Sequence, residues 1–442
     1  MLFSRSDLKR LLIPLLLEQL LAVTIGAADT VMVSSCGEAA VSAISLVDSI
    51  NILLIQLFSA LATGGAVVAS QYLGKKEPDN AGVASKQLIY TVTLVSVAIM
   101  GVCLAFRKPM LSAIFGTIEP EVMENAVVYF LFTALSYPFL GLYNAQAALL
   151  RSMGDSRASL DTSLVMNLVN IGGNALLIFG FGMGAAGAAI ATLFSRIIGT
   201  LMIGRMMRRP GNSIKVPSLL RFTWRGDMVK RILAVGVPTG LENSLFQLGK
   251  LILLRLVATF GTVSIAANAI SNTISTIEVL PGSAISLAMV TVVGRCAGAR
   301  EYGQARQYTK KLMLLAYACM SVLNICIILL ADPIVGFFHL SPETAGLAKK
   351  LFTLHAWGSV FLWPLSFVLP NALRAANDAR FTMIVSVFSM MTFRIVFGYL
   401  LADTFHMGVY GVWIAMQIDW VFRIVMFIIR FHGHKWEARQ LV

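Results

Sequence analysis

Charge is scarce in this sequence. Only 13% of its 442 residues are charged, whereas about 25% is usual in a soluble domain. Charged side chains cover the surface of a soluble protein, so this shortage excludes a water-soluble globular class. With hydrophobic residues at 57% and a mean hydropathy of +0.78, most of the surface must contact lipid. We therefore expect a multi-pass membrane protein.

Motifs of common enzymes and metal sites are also absent. The five cysteines are odd in number and show no C-x-x-C spacing, which argues against a disulfide framework and a zinc site. Neither H-E-x-x-H nor G-x-x-x-x-G-K-[ST] occurs, so we expect no enzyme, no metal centre and no ATP-driven transport. Energy then comes from an ion gradient or from the substrate's own gradient. Histidines are expected mainly in loops or near span ends, at positions 339, 355, 406, 432 and 434.

Basic residues exceed acidic ones, 35 against 22. In a soluble protein this excess would suggest nucleic acid, but in a membrane protein Lys and Arg concentrate in cytoplasmic loops. We therefore predict no nucleic-acid partner and a multi-pass protein of the plasma membrane with both termini in the cytoplasm. The N-terminus runs from Arg5, Lys9 and Arg10 into an apolar stretch without a cleavage site, so a retained first span is expected rather than a signal peptide.

Twelve stretches are long and apolar enough to cross a bilayer as helices, at about 20 residues per crossing. The sequence predicts these spans at 11–33, 43–73, 86–106, 122–150, 160–180, 184–206, 232–257, 264–294, 308–331, 346–373, 381–402 and 409–430.

The two halves of the chain repeat. One constant offset in numbering pairs Pro14-x-x-x-Glu18 with Pro238-x-x-x-Glu242, and nearly the same offset pairs Arg151-x-x-x-Asp155-x-Arg157 with Arg374-x-x-x-Asp378-x-Arg380. Six spans per repeat is an even number, so both repeats enter from the same side and are related by a pseudo-twofold axis along the membrane normal. We predict two six-helix lobes at 1–206 and 232–430, a basic cytoplasmic linker at 207–231 and a tail at 431–442.

Polar residues inside the first lobe are candidates for ion coupling, because ionisable groups within spans are costly and usually functional. Asp29 lies deep in the first span, where a lone carboxylate can bind and release a proton or a sodium ion. Asn167, Asn170 and Asn174 share one helical stripe in span five, and Thr192 adds a hydroxyl from span six. Carboxamide oxygens can coordinate a hard cation, although such residues also simply bridge neighbouring helices.

Span seven carries an unusual set of polar residues. A buried Lys250 needs a partner, and Glu242 and Glu278 are the expected candidates; Arg394 is either paired or extends its charged end to the membrane surface. A functional role and internal ion pairing remain equally open for Lys250. The candidates for a substrate cavity are Glu242, Gln247, Lys250, Arg255 and Glu278.

The sequence resembles the multidrug and toxic compound extrusion (MATE) family over nearly its whole length, in particular the DinF-like bacterial branch. The matching stretches are Ala27-Ala-Asp-Thr-Val-Met-Val, Leu150-Arg-Ser-Met-Gly-Asp-Ser-Arg157, Gly182-Met-Gly-Ala-Ala-Gly-Ala-Ala-Ile-Ala-Thr192, Gly236-Val-Pro-x-Gly-Leu-Glu, Ala266-Ala-Asn-Ala-Ile, Val293-Gly-Arg-x-x-Gly-Ala and Ala372-Leu-Arg-x-x-x-Asp-x-Arg380.

The resemblance implies a V-shaped monomer of two lobes that alternates between outward-open and inward-open states. It would export amphipathic, often cationic compounds in exchange for Na⁺ or H⁺, without a further cofactor. The family's coupling residues correspond here to Asp29, Asn170, Asn174 and Thr192, which would also form any Na⁺ site. Asn174 replaces the second aspartate that is usual in the family, and this loss of a carboxylate favours proton coupling through Asp29.

An alternative reading is a flippase for a lipid-linked or anionic precursor. Lys250, Arg255 and Arg394 are compatible with a basic cavity for phosphate. If Lys250 faces the cavity unpaired, an anionic or zwitterionic substrate is favoured over a cation, because like charges repel strongly in a low dielectric.

Overall fold

The computed structural model describes residues 2–116 and 119–437, apart from the side chains of residue 25 and residues 27–30 in the first helix. Within these ranges every regular element is a helix. The chain divides into two compact units, the first comprising Phe3–Gly240 and the second beginning at Leu241.

The first unit contains seven complete helices and the start of an eighth. Their bounds are α1 (Arg5–Ser34), α2 (Glu38–Gly74), α3 (Pro78–Phe115), α4 (Pro120–Leu135), α5 (Tyr137–Ser152), α6 (Ser156–Asn174), α7 (Gly184–Met207) and α8 (Gly226–Ala258). A π-helical segment, Ala175–Gly180, continues α6.

The second unit contains the remainder of α8 and nine further helices. Their bounds are α9 (Thr262–Glu278), α10 (Leu280–Gly298), α11 (Tyr302–Leu329), α12 (Ala331–Phe337), α13 (Pro342–Phe361), α14 (Leu369–Ala375), α15 (Ala379–Ser389), α16 (Phe397–Tyr399) and α17 (Gly408–His432). Three π-helical segments interrupt the series, at Pro364–Val368, Met390–Val396 and Leu400–Thr404.

The helices coincide with the twelve predicted spans. Eight helices in the part of the chain that is described are long and apolar enough to cross a membrane, or ten when the bent pairs α4 with α5 and α13 with α14 each count as one span. The other two predicted spans are α1, which includes the side chains outside the description, and α8, whose middle carries Glu242, Gln247 and Lys250.

The linker between the predicted lobes packs along α3 within the first unit. The Lys86 ammonium donates to the carbonyl oxygen of Arg221 at 2.7 Å, and the Gln87 amide donates to that of Thr223 at 2.6 Å. The Tyr90 hydroxyl donates to the carbonyl oxygen of Leu219 at 2.8 Å. These bonds satisfy backbone carbonyls that a loop would otherwise expose to water.

The sequence repeat extends to backbone packing. A Cβ atom on Gly187 would lie 3.1 Å from the carbonyl carbon of Leu177, and one on Gly411 would lie 2.8 Å from that of Leu401. The two glycines correspond under the offset that relates the halves of the sequence, and so do the two leucines. Leu177 and Leu401 each lie in a π-helical segment. In each repeat the sixth span therefore packs against the fifth at the corresponding glycine.

A close contact between α2 and α8 makes Gly64 sensitive to substitution. A Cβ at this position would lie 2.4 Å from the Ile232 carbonyl oxygen. Because backbone must move to admit it, we expect Gly64→Ala to lower the free energy of unfolding by about 1–3 kcal/mol. Thermal unfolding of the purified protein in detergent measures this loss.

Gly101→Ala is the matched control for Gly64→Ala. Gly101 lies inside α3 and a Cβ there would meet nothing within 4 Å. Alanine has the higher helix propensity, so this variant should unfold at the wild-type temperature or slightly above it. Equal destabilisation by both variants would contradict the steric argument.

Candidate functional site

Three of the predicted coupling residues lie together in the first unit. The Asn170 amide donates to Thr192 Oγ1 at 3.2 Å, and the Asn174 amide lies 3.5 Å from Asn170 Oδ1. Thr192 in turn donates to the Ala188 carbonyl at 3.0 Å. Asn174 is fully buried, whereas Asn170 and Thr192 are half-buried. We call these three side chains the amide–hydroxyl cluster.

The local sequence explains how the cluster forms. Asn170 and Asn174 are four residues apart and so lie on one face of α6. A tight turn with Gly182 and Gly184 at positive φ, 63° and 53°, then returns the chain as α7 beside that face. Asn167 is not part of the cluster, because its amide instead lies 3.3 Å from the Ser163 hydroxyl.

Helices α1 and α6 run parallel, and their register relates Asp29 to the cluster. The Ser156 hydroxyl donates to the Leu11 carbonyl at 2.6 Å, and the Ser159 hydroxyl donates to the Glu18 carboxylate at 2.7 Å. Asp29 lies eleven residues after Glu18, and Asn170 lies eleven residues after Ser159. The second contact relates position 29 to Asn170 and the first relates it to Asn174, so extending the register puts position 29 level with the stretch from Asn170 to Asn174. The Asp29 side chain itself lies outside the described residues.

The amide–hydroxyl cluster offers neutral oxygen atoms only. Amide and hydroxyl oxygens are the hard donors that Na⁺ and similar cations accept, so the residue types fit such an ion. A negative charge would have to come from position 29. Among the described residues no group of three or more His, Cys, Asp or Glu side chains could hold a metal ion.

A second set of charged side chains lies in the second unit, around an aromatic ring. The Phe246 ring centroid is 5.2 Å from Lys250 Nζ, 4.8 Å from the Arg394 guanidinium carbon and 5.9 Å from that of Arg423. The Arg423 carbon is also 4.7 Å from the Phe367 ring centroid. We call these five residues the basic–aromatic cluster.

The partners expected for Lys250 are wrong. Glu242 instead accepts from Arg374 at 2.7 Å and from Arg423 at 3.3 Å, while Glu278 pairs with His355. Among the described residues no carboxylate lies within ion-pair distance of Lys250. Glu242 lies eight residues before Lys250 on α8, about 12 Å along the helix axis, and both glutamates are paired with residues of other helices.

Arg394 is paired rather than extended to the membrane surface, since its Nη1 lies 3.6 Å from an oxygen of Asp419. The remaining two cavity candidates stay outside the basic–aromatic cluster. Gln247 is half-buried and Arg255 is exposed on α8, and neither forms a hydrogen bond or ion pair with the cluster residues.

Sequence reasoning misplaced two residues of the second unit. Arg374 directly follows the predicted span 346–373, but its side chain is only 11% exposed and binds Glu242. His355 belongs to the histidines that were expected mainly in loops or near span ends, but it is buried within α13 between Glu278 and the rings of Trp413 and Trp420. Both errors arise because a residue close to the end of a span by sequence can still point into the packed core.

Sequence reasoning also missed several buried or half-buried polar residues. In α17, Asp419 and Arg423 are four residues apart, a spacing that already indicates an ionisable face. In the first unit, Asp48 of α2 accepts from Asn51 at 2.9 Å and from Tyr129 at 3.2 Å. The Tyr137 hydroxyl donates to Asn51 at 2.8 Å, which joins α2 to α5.

The MatE family model matches this chain twice, over residues 14–176 and 238–400. The chain belongs to the MatE family. The first match begins at Pro14 and the second at Pro238, which are the same two prolines that open the sequence repeat. MatE proteins are multidrug efflux transporters rather than enzymes.

Relatives and solved structures agree with this assignment. The chain is 27% identical to the uncharacterized transporter YisQ of Bacillus subtilis, over 96% of this chain and 92% of that protein. It is 25% identical to a probable multidrug resistance protein NorM of Thermotoga maritima, over 99% and 94% respectively. A crystal structure of MATE in the bent conformation matches with a TM-score of 0.87 at 20% identity, over 97% of this chain and 94% of that one.

The predicted fold class is thereby confirmed. This MatE protein is an all-α, multi-pass membrane protein with twelve membrane-spanning segments in two six-helix lobes.

Proposed function

We propose that this MatE protein is an antiporter that exports small amphipathic compounds in exchange for H⁺ or Na⁺. The observation that carries the proposal is the amide–hydroxyl cluster of Asn170, Asn174 and Thr192, level with the only carboxylate position deep in the first span. Relatives named as probable multidrug resistance proteins support export of varied compounds. The resemblance to the wider family makes an amphipathic cation the first cargo to test.

In this proposal Asp29 binds the coupling ion, and the hydrogen bonds of the amide–hydroxyl cluster change with the charge of the Asp29 carboxylate. An ionised carboxylate only accepts hydrogen bonds, whereas the protonated acid also donates one and accepts fewer. Ion entry changes that bonding, α1 repacks against α6, and the substrate is displaced. Protons are favoured over Na⁺ because Asn174 contributes no second negative charge.

The proposed setting is a bacterial plasma membrane with both termini in the cytoplasm and the protein acting as a monomer. The basic linker supports this orientation, since Lys215, Arg221 and Arg225 lie in the segment that packs along α3.

Efflux from proteoliposomes under separately imposed proton and sodium gradients tests the proposal. Ethidium serves as the cationic probe and carboxyfluorescein as the anionic one. We expect a proton gradient to drive movement of at least one probe, with little response to Na⁺. No movement of either probe under either gradient, with folded protein present, would overturn the antiporter assignment.

A second carboxylate should convert the coupling preference. Asn174→Asp adds a negative charge to the amide–hydroxyl cluster, so we expect sodium-driven efflux to appear, at a rate about tenfold above that of the wild type at the same Na⁺ concentration. Titration of efflux rate against Na⁺ measures this shift.

Asn167→Asp is the matched control, because it places the same charge on α6 outside the cluster. Its sodium dependence should equal that of the wild type. An unchanged sodium response in Asn174→Asp would show that residue 174 does not contribute to ion coupling.

A second candidate, transport of a lipid-linked or anionic compound, is favoured by the positive charge of the basic–aromatic cluster.

A further inference from the structure

Buried positive charge exceeds negative charge around the basic–aromatic cluster. Its basic side chains are Lys250, Arg394 and Arg423. Arg374 lies beside them because it shares the carboxylate of Glu242 with Arg423. Glu242 and Asp419 are the two acidic side chains within ion-pair distance of this group in the described part of the chain. Three largely buried arginines against two buried carboxylates leave one positive charge, and Lys250 adds another at the exposed end of the cluster. An uncompensated charge at low dielectric is expensive.

The two arginines of the cluster also keep unused hydrogen-bond donors. Arg394 is 7% exposed and Arg423 is 2% exposed. In each of them Nε and Nη1 are buried without a hydrogen-bond partner among the described residues. Asp419 lies 3.6 Å from Arg394 Nη1, which is beyond hydrogen-bond length.

A purely structural arginine in the same unit looks different. Arg430 donates to both carboxylate oxygens of Asp378, at 2.5 and 3.1 Å, and so forms a bidentate ion pair. Arg374 likewise bonds Glu242, Asn371 and Thr382. The open donors of Arg394 and Arg423 are therefore a local property of the basic–aromatic cluster.

The cluster also has apolar walls and an accessible end. Phe246 packs edge-on against Phe367 with centroids 6.2 Å apart, and Phe367 stacks on Trp363 at 5.0 Å. Lys250, one turn after Phe246 on α8, is exposed. A ligand that reaches Lys250 thus meets buried guanidinium groups and flat aromatic surfaces together.

We propose that the basic–aromatic cluster binds an oxyanion, a carboxylate, phosphate or sulfonate, carried on an apolar or aromatic body. The guanidinium groups of Arg394 and Arg423 would donate to its oxygens, Lys250 would attract it, and the rings would contact the body. This proposal names a class of cargo for the proposed transport function. Only the statement that the ligand is transported rests on that function. The binding step itself requires no ion gradient.

Two dyes with the same xanthene ring system and opposite charge test the site. Fluorescence anisotropy of fluorescein and of rhodamine 123 is titrated with the full-length protein in neutral detergent at mildly alkaline pH. Fluorescein should bind more tightly than rhodamine 123. Arg423→Gln should weaken fluorescein binding about tenfold or more, because hydrogen bonds to charged groups are strong.

Further variants separate binding from folding. Arg423→Gln leaves Glu242 paired with Arg374, and Arg423→Lys keeps the charge, so the latter should restore part of the affinity. Lys250→Gln alters an exposed side chain that folding does not require, and it should weaken fluorescein about two- to fivefold. Lys350→Gln removes an exposed cation from α13 and should change nothing.

The outcome that overturns the proposal is tighter binding of rhodamine 123, with fluorescein affinity unaffected by Arg423→Gln and Lys250→Gln.

Competition identifies the source of the oxyanion. Displacement of fluorescein by dihexanoylphosphatidic acid assigns the site to a lipid headgroup, and retention of fluorescein assigns it to a free amphipathic anion. Failure of the gradient-driven efflux assay would remove the antiporter mechanism while leaving this binding result intact.

Discussion

Asp29→Asn is expected to reduce gradient-driven efflux roughly 10- to 100-fold while expression and folding stay at the wild-type level. Coupling energies between two binding sites have this size, and the substitution removes the group that exchanges the proton. The register of α1 on α6, set by the contacts of Ser156 and Ser159, puts position 29 level with the stretch from Asn170 to Asn174. Efflux from proteoliposomes under an imposed proton gradient measures the loss.

Controls distinguish this effect from a general loss of charge. Asp161→Asn removes an exposed carboxylate from α6, where it forms only a surface ion pair with Arg157 at 3.9 Å. This variant should transport normally, whereas Asp29→Glu should retain partial coupling. Transport by Asp29→Asn at the wild-type rate would mean that another residue carries the coupling ion.

Glu242→Gln is expected to be the most destabilising single substitution, at about 3–5 kcal/mol. Glu242 is 6% exposed and compensates both Arg374 and Arg423. Glutamine retains the shape but leaves two guanidinium groups without a counter-charge in the core of the second unit. Thermal unfolding in detergent, followed by tryptophan fluorescence, should show a markedly lower midpoint.

A second substitution should partly reverse this loss. In Glu242→Gln with Arg423→Gln one of the two unpaired charges is removed, so the double variant should be more stable than Glu242→Gln alone. Glu343→Gln, at the exposed start of α13, should stay within about 0.5 kcal/mol of the wild type. A wild-type midpoint for Glu242→Gln would show that the ion pairs contribute nothing to stability.

The repeat explains why Glu242 is structural. Its counterpart in the first half, Glu18, accepts a hydrogen bond from Ser159, which in turn accepts from Arg151 at 3.3 Å. Glu242 meets Arg374, the counterpart of Arg151. Glu18 of span one thus reaches the arginine motif between spans four and five through Ser159, and Glu242 of span seven binds the corresponding motif between spans ten and eleven directly. The sequence repeat showed that the two glutamates correspond and that the two arginines correspond. It did not show that each glutamate lies close to the arginine of its own half.

The sequence by itself determined the membrane environment, the helical class, the twelve spans and the repeat. These follow from residue type and spacing along the chain, since lipid requires long apolar helices and a gene repeat leaves matched motifs. Helical spacing also grouped Asn167, Asn170 and Asn174 on one stripe, and the resemblance to the MATE family pointed to Asn170, Asn174 and Thr192 among the coupling residues.

Only the tertiary structure decided which charges meet. Glu242 was a candidate partner for Lys250 because a buried cation needs a counter-charge, but Arg374 and Arg423 reach that carboxylate from α14 and α17. His355 and Arg374 lie near predicted span ends, yet the bend of 65° between α13 and α14 accompanies their burial in the second unit. Pairing between distant helices depends on packing angles and kinks, which hydropathy and periodicity do not encode.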